Sequence, residues 1–394
     1  MTQKDAYTDP HYAKQALLPE GLRDHLPPYA ELEAETVHSV MGVFQSYGYE
    51  RVSPPLVEFE DSLLIGPAAK NSDNMFRLMD PESRKVMALR SDMTTQIARI
   101  ASTRLKEHPR PLRLAYSGNV LRVKGSQIRP TRQFCQAGFE LIGDSGIQAQ
   151  IEVIRVAIEG LTQVGLKDLS VDLTIAPFVP AVCADLGLDQ VKTAYVRAAL
   201  DARDVGALQE LPTRERKVFE AILQSAGDAQ EAVHTLKALA FEGESVMYVI
   251  ELARLVEALA LEFPSVALTV DPGESHGFDY KIGVGFALFS KSVHGELGRG
   301  GRYQTSFADG SHESAIGFSM YLDRVMNAIP VPEAKRKVYV PHSVSQDVAK
   351  NYRLEGWCVI QGLTDEDNSL IRAQEIAASL GCSHIHSNGE CVAL

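Results

Sequence analysis

The sequence predicts an α+β fold that carries a helical insertion and ends in a small α/β domain. Segments with the two-residue alternation of strands and segments with the 3.6-residue period of helices share most of the chain. Residues from about 188 to 262 differ, because they are rich in alanine, leucine and glutamate and show almost no β-branched alternation. Residues 335–394 return to short strands and helices in turn, which is typical of an α/β unit.

The first element is an amphipathic helix predicted over residues 29–47. Its apolar face carries, at helical spacing, Val37, Val40, Met41 and Phe44. Gly48 supplies a helix stop, and residues 49–53 predict a strand. Pro54 and Pro55 close that strand, and because proline cannot donate a ladder hydrogen bond, we expect the strand at a sheet edge.

The remaining core elements follow from the same periodicities. A helix is predicted over about 148–164, and a half-buried strand over 171–175. After the insertion, the patterns predict strands at 266–270 and 284–288 and an amphipathic segment at 316–325. The run Gly298–Gly301 predicts a tight turn, since no GxGxxG or P-loop pattern supports the alternative of a phosphate cradle.

A domain boundary is predicted near residues 329–337, where two prolines precede a run of charges. The sequence thus predicts a core of residues 1–330 followed by the C-terminal α/β domain.

In that domain Cys382, His384 and His386 alternate, so a strand would place all three on one face. Such a set suits zinc or copper, but without a clear fourth ligand we expect no metal.

Composition excludes several classes of protein. The 45% hydrophobic and 23% charged content is ordinary for a soluble globular chain, and no apolar run reaches bilayer-spanning length. The N-terminal segment lacks the pattern of a signal peptide. Five cysteines without a CxxC pair argue against a disulfide framework, so we expect a cytoplasmic protein. A net charge of −12 argues against nonspecific binding of nucleic acid.

A local cluster of cations contrasts with this acidic average. The cluster falls within residues 104–132, where Glu107 is the only acid. Two interpretations stay open: a solvated face with scattered partners, or a site for phosphates or an acidic partner. The cluster comprises Arg104, Lys106, Arg110, Arg113, Arg122, Lys124, Arg129 and Arg132.

The segment 113–143 carries the strongest resemblance to a known family. A strand that ends in Arg122 is followed by a loop and then by Arg132-Gln133-Phe134. This pattern resembles the second signature motif of class II aminoacyl-tRNA synthetases in its histidyl form. The other motifs of that family have counterparts, in the right order, at residues 29–58, 87–99, 276–280 and 315–325. The resemblance implies a class II synthetase-like antiparallel sheet core and a self-dimer through the first motif.

Departures from the family pattern fall where the nucleotide would bind. Activation of an amino acid builds negative charge on the α-phosphate of ATP, and losing one preorganised cation typically costs about 10² to 10³ in rate. His276 stands where the family has an arginine, and Lys124 stands where it has a glutamate. Arg324 matches the arginine of motif three, but Tyr321 replaces a small residue and would fill the adenine space. The resemblance therefore implies a degenerate activation site without catalytic residues.

The resemblance also implies a partly retained histidine-like pocket. Its predicted members are Asp92, Thr94, Arg122, Gln136, Glu140 and Tyr280. Asp92 replaces a glutamate of the family, and Lys281 replaces a second tyrosine. Ordinary structural roles are the alternative, with Asp92 as a helix cap and Gln136 and Glu140 as paired buried polar groups.

A disabled activation site with a short C-terminal domain resembles the regulatory subunits of ATP phosphoribosyltransferase. The resemblance implies a non-catalytic subunit that activates a short catalytic subunit in the first step of histidine biosynthesis. It also implies histidine as an inhibiting effector and a hetero-oligomer, expected to be a hetero-octamer. The domain after Lys337 has no basic run, so we expect no tRNA partner, and we expect no membrane partner and no cofactor.

Two alternatives remain at this point. The chain could be a genuine histidyl-tRNA synthetase with divergent motifs, in which case it would exchange pyrophosphate into ATP with histidine. It could also be a synthetase-like binding module that senses tRNA, in which case it would bind tRNA at physiological salt.

Overall fold

The computed structural model describes residues 17–64, 74–125, 130–274, 282–307, 310–331, 333, 335–365 and 369–394. The chain divides into two compact units, residues 1–330 and residues 331–394. In the described ranges no helix combines the length and apolar character needed to cross a bilayer.

The first unit is built from twelve strands and eleven helices across its described ranges. The strands are β1 (Glu50–Arg51), β2 (Val57–Phe59), β3 (Arg77–Met79), β4 (Val86–Leu89), β5 (Leu112–Leu121), β6 (Gln133–Ile142), β7 (Leu169–Ile175), β8 (Gly227–Asp228), β9 (Ala267–Asp271), β10 (Val284–Ser290), β11 (Val293–Ser306) and β12 (His312–Tyr321). The helices are α1 (Tyr29–Ser46), α2 (Glu60–Leu63), α3 (Thr94–Thr103), α4 (Ile147–Gln163), α5 (Phe178–Asp185), α6 (Gln190–Asp201), α7 (Val205–Leu208), α8 (Thr213–Gln224), α9 (Ala229–Ala238), α10 (Ser245–Glu262) and α11 (Leu322–Ala328).

A nine-stranded sheet in the order β1-β5-β6-β12-β11-β10-β7-β9-β8 forms the frame of this unit. Strands β5, β6, β12, β11, β10 and β7 are consecutively antiparallel, whereas β1 pairs parallel to β5 and β9 parallel to β7. The predicted edge strand is confirmed, because β1 ends the sheet and precedes Pro54. Strands β2, β4 and β3 form a separate small sheet.

The alternation of β6 divides the sheet into two faces with different environments. Phe139 belongs to the main apolar core, where its ring lies 4.7 Å from that of Phe44 on α1. The amphipathic pattern predicted for residues 29–47 is confirmed, since Val40, Met41 and Phe44 are all buried. Neighbouring β6 residues such as Glu140 point to the opposite face, which leaves that face available for polar groups.

An ion pair ties α4 to the sheet beside this core. The guanidinium of Arg113 donates from Nε and Nη2 to the two carboxylate oxygens of Glu152, at 2.8 and 2.9 Å. The hydroxyl of Tyr49 donates to the same carboxylate at 3.0 Å. Burial opposes ionisation of Glu152, but the hydrogen bonds from Arg113 and Tyr49 outweigh it and hold the pKa of Glu152 below its usual range.

We expect the stabilising contribution of Glu152 to disappear in acid. A carboxyl with a lowered pKa in the folded state stabilises the protein above its unfolded pKa of about 4.3, and this contribution fades as the pH falls through the folded pKa. The unfolding free energies of the wild type and of Glu152→Gln should therefore differ most near neutrality and converge below about pH 4. Denaturant titrations between pH 7 and pH 3 measure this difference. A gap that does not change with pH would contradict the assignment.

The glycine run Gly298–Gly301 is not a turn, so that prediction was wrong. It lies inside β11, in the centre of the sheet. Glycine is needed there for packing: a Cβ on Gly298 would come within 2.5 Å of the Ser319 carbonyl oxygen, and one on Gly300 within 2.2 Å of the Phe286 ring. The rings of Phe286 and Phe318 stack at 5.7 Å against this strand.

The helical insertion is confirmed and comprises α6 to α10, interrupted only by the short β8 in this described part of the chain. Aspartates begin several of its helices, because their carboxylates accept from backbone N–H groups that the helix leaves unpaired. Asp189 accepts from Lys192, Asp204 from Ala207, and Asp228 from Gln230 and Glu231.

The second unit contains β13 (Lys337–Val340), α12 (Gln346–Leu354), β14 (Cys358–Gln361), α13 (Leu370–Ser379), β15 (His384–Ser387) and β16 (Glu390–Ala393). Its sheet has the order β14-β13-β15-β16, with β13 parallel to both β14 and β15. The expectation that Cys382, His384 and His386 share one face was wrong. Cys382 precedes β15 and packs in the cluster of Ile385, whereas the ring of His386 bonds to the hydroxyl of Tyr352.

Three members of the cation cluster have partners within the described part of the chain. Arg110 donates to Glu313 at 2.6 Å, and Arg113 pairs with Glu152 as described. Arg132 donates to the backbone carbonyls of Arg122 and Glu20, so it fastens a loop rather than facing a ligand. These contacts favour the interpretation of scattered partners over that of a phosphate site.

Candidate functional site

A cavity opens on the sheet face opposite α1, over the middle of β6, β12 and β11. Its volume is about 50 Å³, several times the roughly 10–15 Å³ needed to hold one water molecule. We call it the sheet-face cavity, and it is lined by Asp92, Thr94, Glu140, Arg299, Gly301, Tyr303, Gly317, Phe318, Ser319 and Tyr321.

Small residues on neighbouring strands make the floor of the sheet-face cavity. Gly301 pairs with Gly317, and Gly317 pairs with Glu140, so the three lie in one row across the sheet. The Glu140 side chain extends over Gly317, where a Cβ would lie 1.7 Å from Glu140 Oε2. A glycine at position 317 is thus what lets the carboxylate reach the cavity.

Glu140 is the most deeply placed acid of the cavity. Only 1% of it is exposed, and it accepts hydrogen bonds from the hydroxyls of Tyr116 at 3.2 Å and Tyr303 at 3.0 Å. Burial, and then the charges of Glu140 and Asp92, raises the pKa of Tyr116 well above its usual value. Tyr116 therefore keeps its proton and serves as a donor to the carboxylate.

Asp92 links the start of α3 to the sheet. One carboxylate oxygen accepts from the backbone N–H of Thr94 at 2.8 Å, and the other accepts from Gln136 Nε2 at 2.9 Å. Gln136 is fully buried and also donates to Ser319 Oγ at 3.0 Å, while its carbonyl accepts from the Met93 N–H at 3.0 Å. The N-cap of α3 is Met93, and Asp92, one residue before it, accepts from the first N–H of the helix while its side chain also lines the cavity.

A cation lies on the β11 side of the cavity. Arg299 pairs in register with Ser319 of β12 and with Ala287 of β10. Its guanidinium donates from Nε and Nη2 to the two carboxylate oxygens of Glu296, at 2.8 and 2.6 Å. The described lining of the cavity therefore includes two acids, Asp92 and Glu140, and one guanidinium.

Aromatic residues fill the region next to Asp92. The ring of Tyr321 meets the ring of Phe134 edge-on at 5.9 Å, and only 8% of Tyr321 is exposed. The guanidinium of Arg122 lies 5.1 Å from the centre of the same Phe134 ring. Burial, followed by the nearby charge of Glu296, raises the pKa of the Tyr321 hydroxyl to about 12.

The structure brings together part of the predicted pocket. Asp92, Thr94, Glu140 and Tyr321 line the cavity, and Gln136 supports Asp92 from behind. Three predicted residues are not among the described lining. Arg122 donates to the Ser91 carbonyl at 3.4 Å, the Lys124 N–H donates to Asn74, and Arg324 donates to the His294 carbonyl at 2.9 Å.

Three further predicted residues, His276, Tyr280 and Lys281, lie outside the described residues.

Sequence reasoning missed three polar residues of the lining, namely Arg299, Tyr303 and Ser319. It also missed Tyr116, whose hydroxyl bonds to Glu140 and Ser319 of the lining. A signal for two of these four residues was present. In a strand the two-residue period places Arg299, Gly301 and Tyr303 on one face.

Comparison with known proteins agrees with this fold. The family model for histidyl-tRNA synthetase matches residues 21–325. A solved ATP phosphoribosyltransferase regulatory subunit/histidyl-tRNA synthetase from Bacillus halodurans superposes with a TM-score of 0.79 at 24% identity, covering 92% of this chain and 96% of that chain. A chain of the ATP phosphoribosyl transferase (HisG:HisZ) complex from Thermotoga maritima gives a TM-score of 0.58 at 16% identity, covering 74% and 97%. At these identities the likeness concerns the fold, which is that of class II histidyl-tRNA synthetases.

Sequence relatives narrow the class further. An ATP phosphoribosyltransferase regulatory subunit of Paramagnetospirillum magneticum is 44% identical over 372 residues, which cover 94% of this chain and 96% of the relative. The chain belongs to the family of ATP phosphoribosyltransferase regulatory subunits. Both the class II synthetase-like fold and the family expected from the motifs are thereby confirmed.

Proposed function

We propose that this chain is a non-catalytic regulatory subunit that binds a short catalytic ATP phosphoribosyltransferase subunit, raises its activity and transmits inhibition by histidine. The observation that carries the proposal is the sheet-face cavity, which has the carboxylates of Asp92 and Glu140 in its lining and the buried ring of Tyr321 where the resemblance implies space for adenine. The relative named above supports the catalytic partner, because its name describes a regulatory subunit of that enzyme.

The cavity supports binding of a small cationic or zwitterionic ligand. Asp92 and Glu140 place two carboxylates at its wall, and the hydroxyls of Tyr116 and Tyr303 hold Glu140 in position. A fixed, water-poor carboxylate forms charge-assisted hydrogen bonds with an imidazolium or ammonium group. Histidine carries both groups, so it suits this arrangement as an effector.

The neighbouring region argues against activation of that ligand by ATP. Tyr321 packs on Phe134 where the family resemblance implies space for adenine. His276 and Lys124 replace the arginine and the glutamate that the family uses on ATP. Without a nucleotide-binding site, the chain cannot activate the bound amino acid, which then acts only as an effector. A ligand acts as an effector when two states of the complex bind it with different affinities.

Co-purification with the short catalytic subunit tests the proposal. We expect a stable complex whose phosphoribosyl transfer is faster than that of the catalytic subunit alone and is slowed by histidine. The isolated chain should show no histidine-dependent exchange of pyrophosphate into ATP. Robust exchange would instead identify a working synthetase, and a shift of tRNA in a gel at physiological salt would support a tRNA sensor.

A further inference from the structure

We propose that Arg299 anchors the carboxylate of a free amino acid in the sheet-face cavity, and that Glu296 holds the same guanidinium when no ligand is bound. The inference rests on the proposed function, because it concerns the effector of that same cavity. It adds a specificity residue that neither the family motifs nor the sequence pattern assigned.

The position of Arg299 on β11 directs it to the cavity. Its register partner Ser319 belongs to the hydrogen-bonded group of Gln136 and Tyr116, so β11, β12, β6 and β5 present one polar face. On its other side Arg299 pairs with Ala287, whose short side chain leaves room above β10. The guanidinium therefore borders the cavity from the side of β11.

The charges around the cavity match those of a zwitterion with a polar side chain. Asp92 can receive the α-ammonium, and Glu140 can receive a donor such as imidazole. The negative α-carboxylate needs a cation, and Arg299 is the arginine that the described lining provides. The planar guanidinium offers two parallel N–H groups, which bind a carboxylate in bidentate fashion more specifically than a lysine would.

Glu296 already shows that this guanidinium binds a carboxylate in bidentate geometry. Both oxygens of Glu296 accept from Arg299, at 2.8 and 2.6 Å. The side chains of Arg299 and Glu296 are 32% and 20% exposed, and ion pairs with such access to water contribute little to stability. A ligand carboxylate can therefore replace Glu296 at small cost, and the exchange makes a local difference between the free and the bound chain.

A pair of ligands that differ only in the carboxylate separates this role from a structural one. L-Histidine and histamine share the ammonium and the imidazole, but histamine has no carboxylate. We expect calorimetric titration of the full chain to show histidine binding at least about 10-fold more tightly than histamine. In Arg299→Gln, the affinity for histidine should fall by about 10- to 100-fold, as expected for loss of a charge-assisted pair. The affinity for histamine should fall by less than about 3-fold.

Glu296→Gln provides the opposite change. Because the Glu296 carboxylate no longer competes for Arg299, the affinity for histidine should rise several-fold and the affinity for histamine should stay the same. Arg155→Gln is the matched control, since Arg155 pairs with Glu262 on the surface and does not line the cavity. This control should bind both ligands like the wild type.

Three results would overturn the inference. If Arg299→Gln lowers the affinities for histidine and histamine equally, Arg299 has only a structural role in β11. If the substitution lowers neither affinity, Arg299 does not contact the ligand. In both cases histidine binding by the wild type leaves the proposed function intact. If the wild type binds no histidine, alone or in the complex, the effector role and the role of Arg299 fall together.

Discussion

Replacing Glu140 by glutamine is expected to remove most of the response of the complex to histidine. Glutamine keeps the size of the side chain and one acceptor oxygen for the hydroxyls of Tyr116 and Tyr303, which donate to different oxygens of Glu140, but it has no charge. Charge-assisted hydrogen bonds contribute about 1.5–3 kcal/mol, so the histidine concentration for half-inhibition should rise about 10- to 100-fold. Activation of the catalytic subunit in the absence of histidine should change little, because Glu140 acts through the bound ligand.

Rates of phosphoribosyl transfer at increasing histidine concentrations measure this effect. Glu313→Gln is a matched control, because Glu313 is a partly buried acid on β12 that pairs with Arg110 and does not line the cavity. Inhibition of Glu140→Gln at wild-type histidine concentrations would show that histidine acts elsewhere. Loss of activation together with loss of inhibition would instead indicate damage to the fold.

The second large effect is expected at Gly300. In Gly300→Ala the new Cβ would lie 2.2 Å from Phe286 Cζ and 2.5 Å from the carbonyl oxygen of Gly317. Both neighbours belong to the centre of the sheet, where overpacking typically costs about 1–3 kcal/mol and sometimes more. We therefore expect a clear drop in the thermal unfolding temperature of the full chain.

Gly42→Ala is the control for this substitution. Gly42 lies within α1, and a Cβ added there would meet no heavy atom within 4 Å outside its own helix backbone and chain neighbours. Alanine in a helix interior is better than glycine by roughly 0.5–1 kcal/mol, so this variant should unfold at an equal or higher temperature. Calorimetry of the two variants side by side checks the contrast. Equal unfolding temperatures for Gly300→Ala and the wild type would contradict the packing described for β11.

Local periodicity was sufficient to predict much of the fold. The helix α1 follows from the spacing of Val40, Met41 and Phe44, whose burial does not depend on distant detail. Gln136 and Glu140 were expected on one face of a strand, and β6 places both on the cavity face. The order of the motifs then supplied the class II frame, which periodicity alone does not specify.

The glycines of β11 show where local reasoning fails. Glycine is common in turns because it tolerates positive φ, and this preference favoured a turn at Gly298–Gly301. The structure requires glycine there because Phe286 and Phe318 come from neighbouring strands whose pairing a local pattern does not reveal. Arg299 was missed for the same reason, since a residue in a supposed turn has no defined face. Cys382 was misplaced because the start of β15 at His384 depends on pairing with β13 and β16.

The glycine floor limits how this cavity can change. Gly301 and Gly317 have no side chain to shorten, so any substitution there can only reduce the volume. A wider chamber must come from the walls, above all from the bulky rings of Tyr303 and Tyr321. Selection for larger effector molecules, in nature or in the laboratory, should therefore repeatedly recover exchanges at those two aromatic positions and spare the strand backbones beneath.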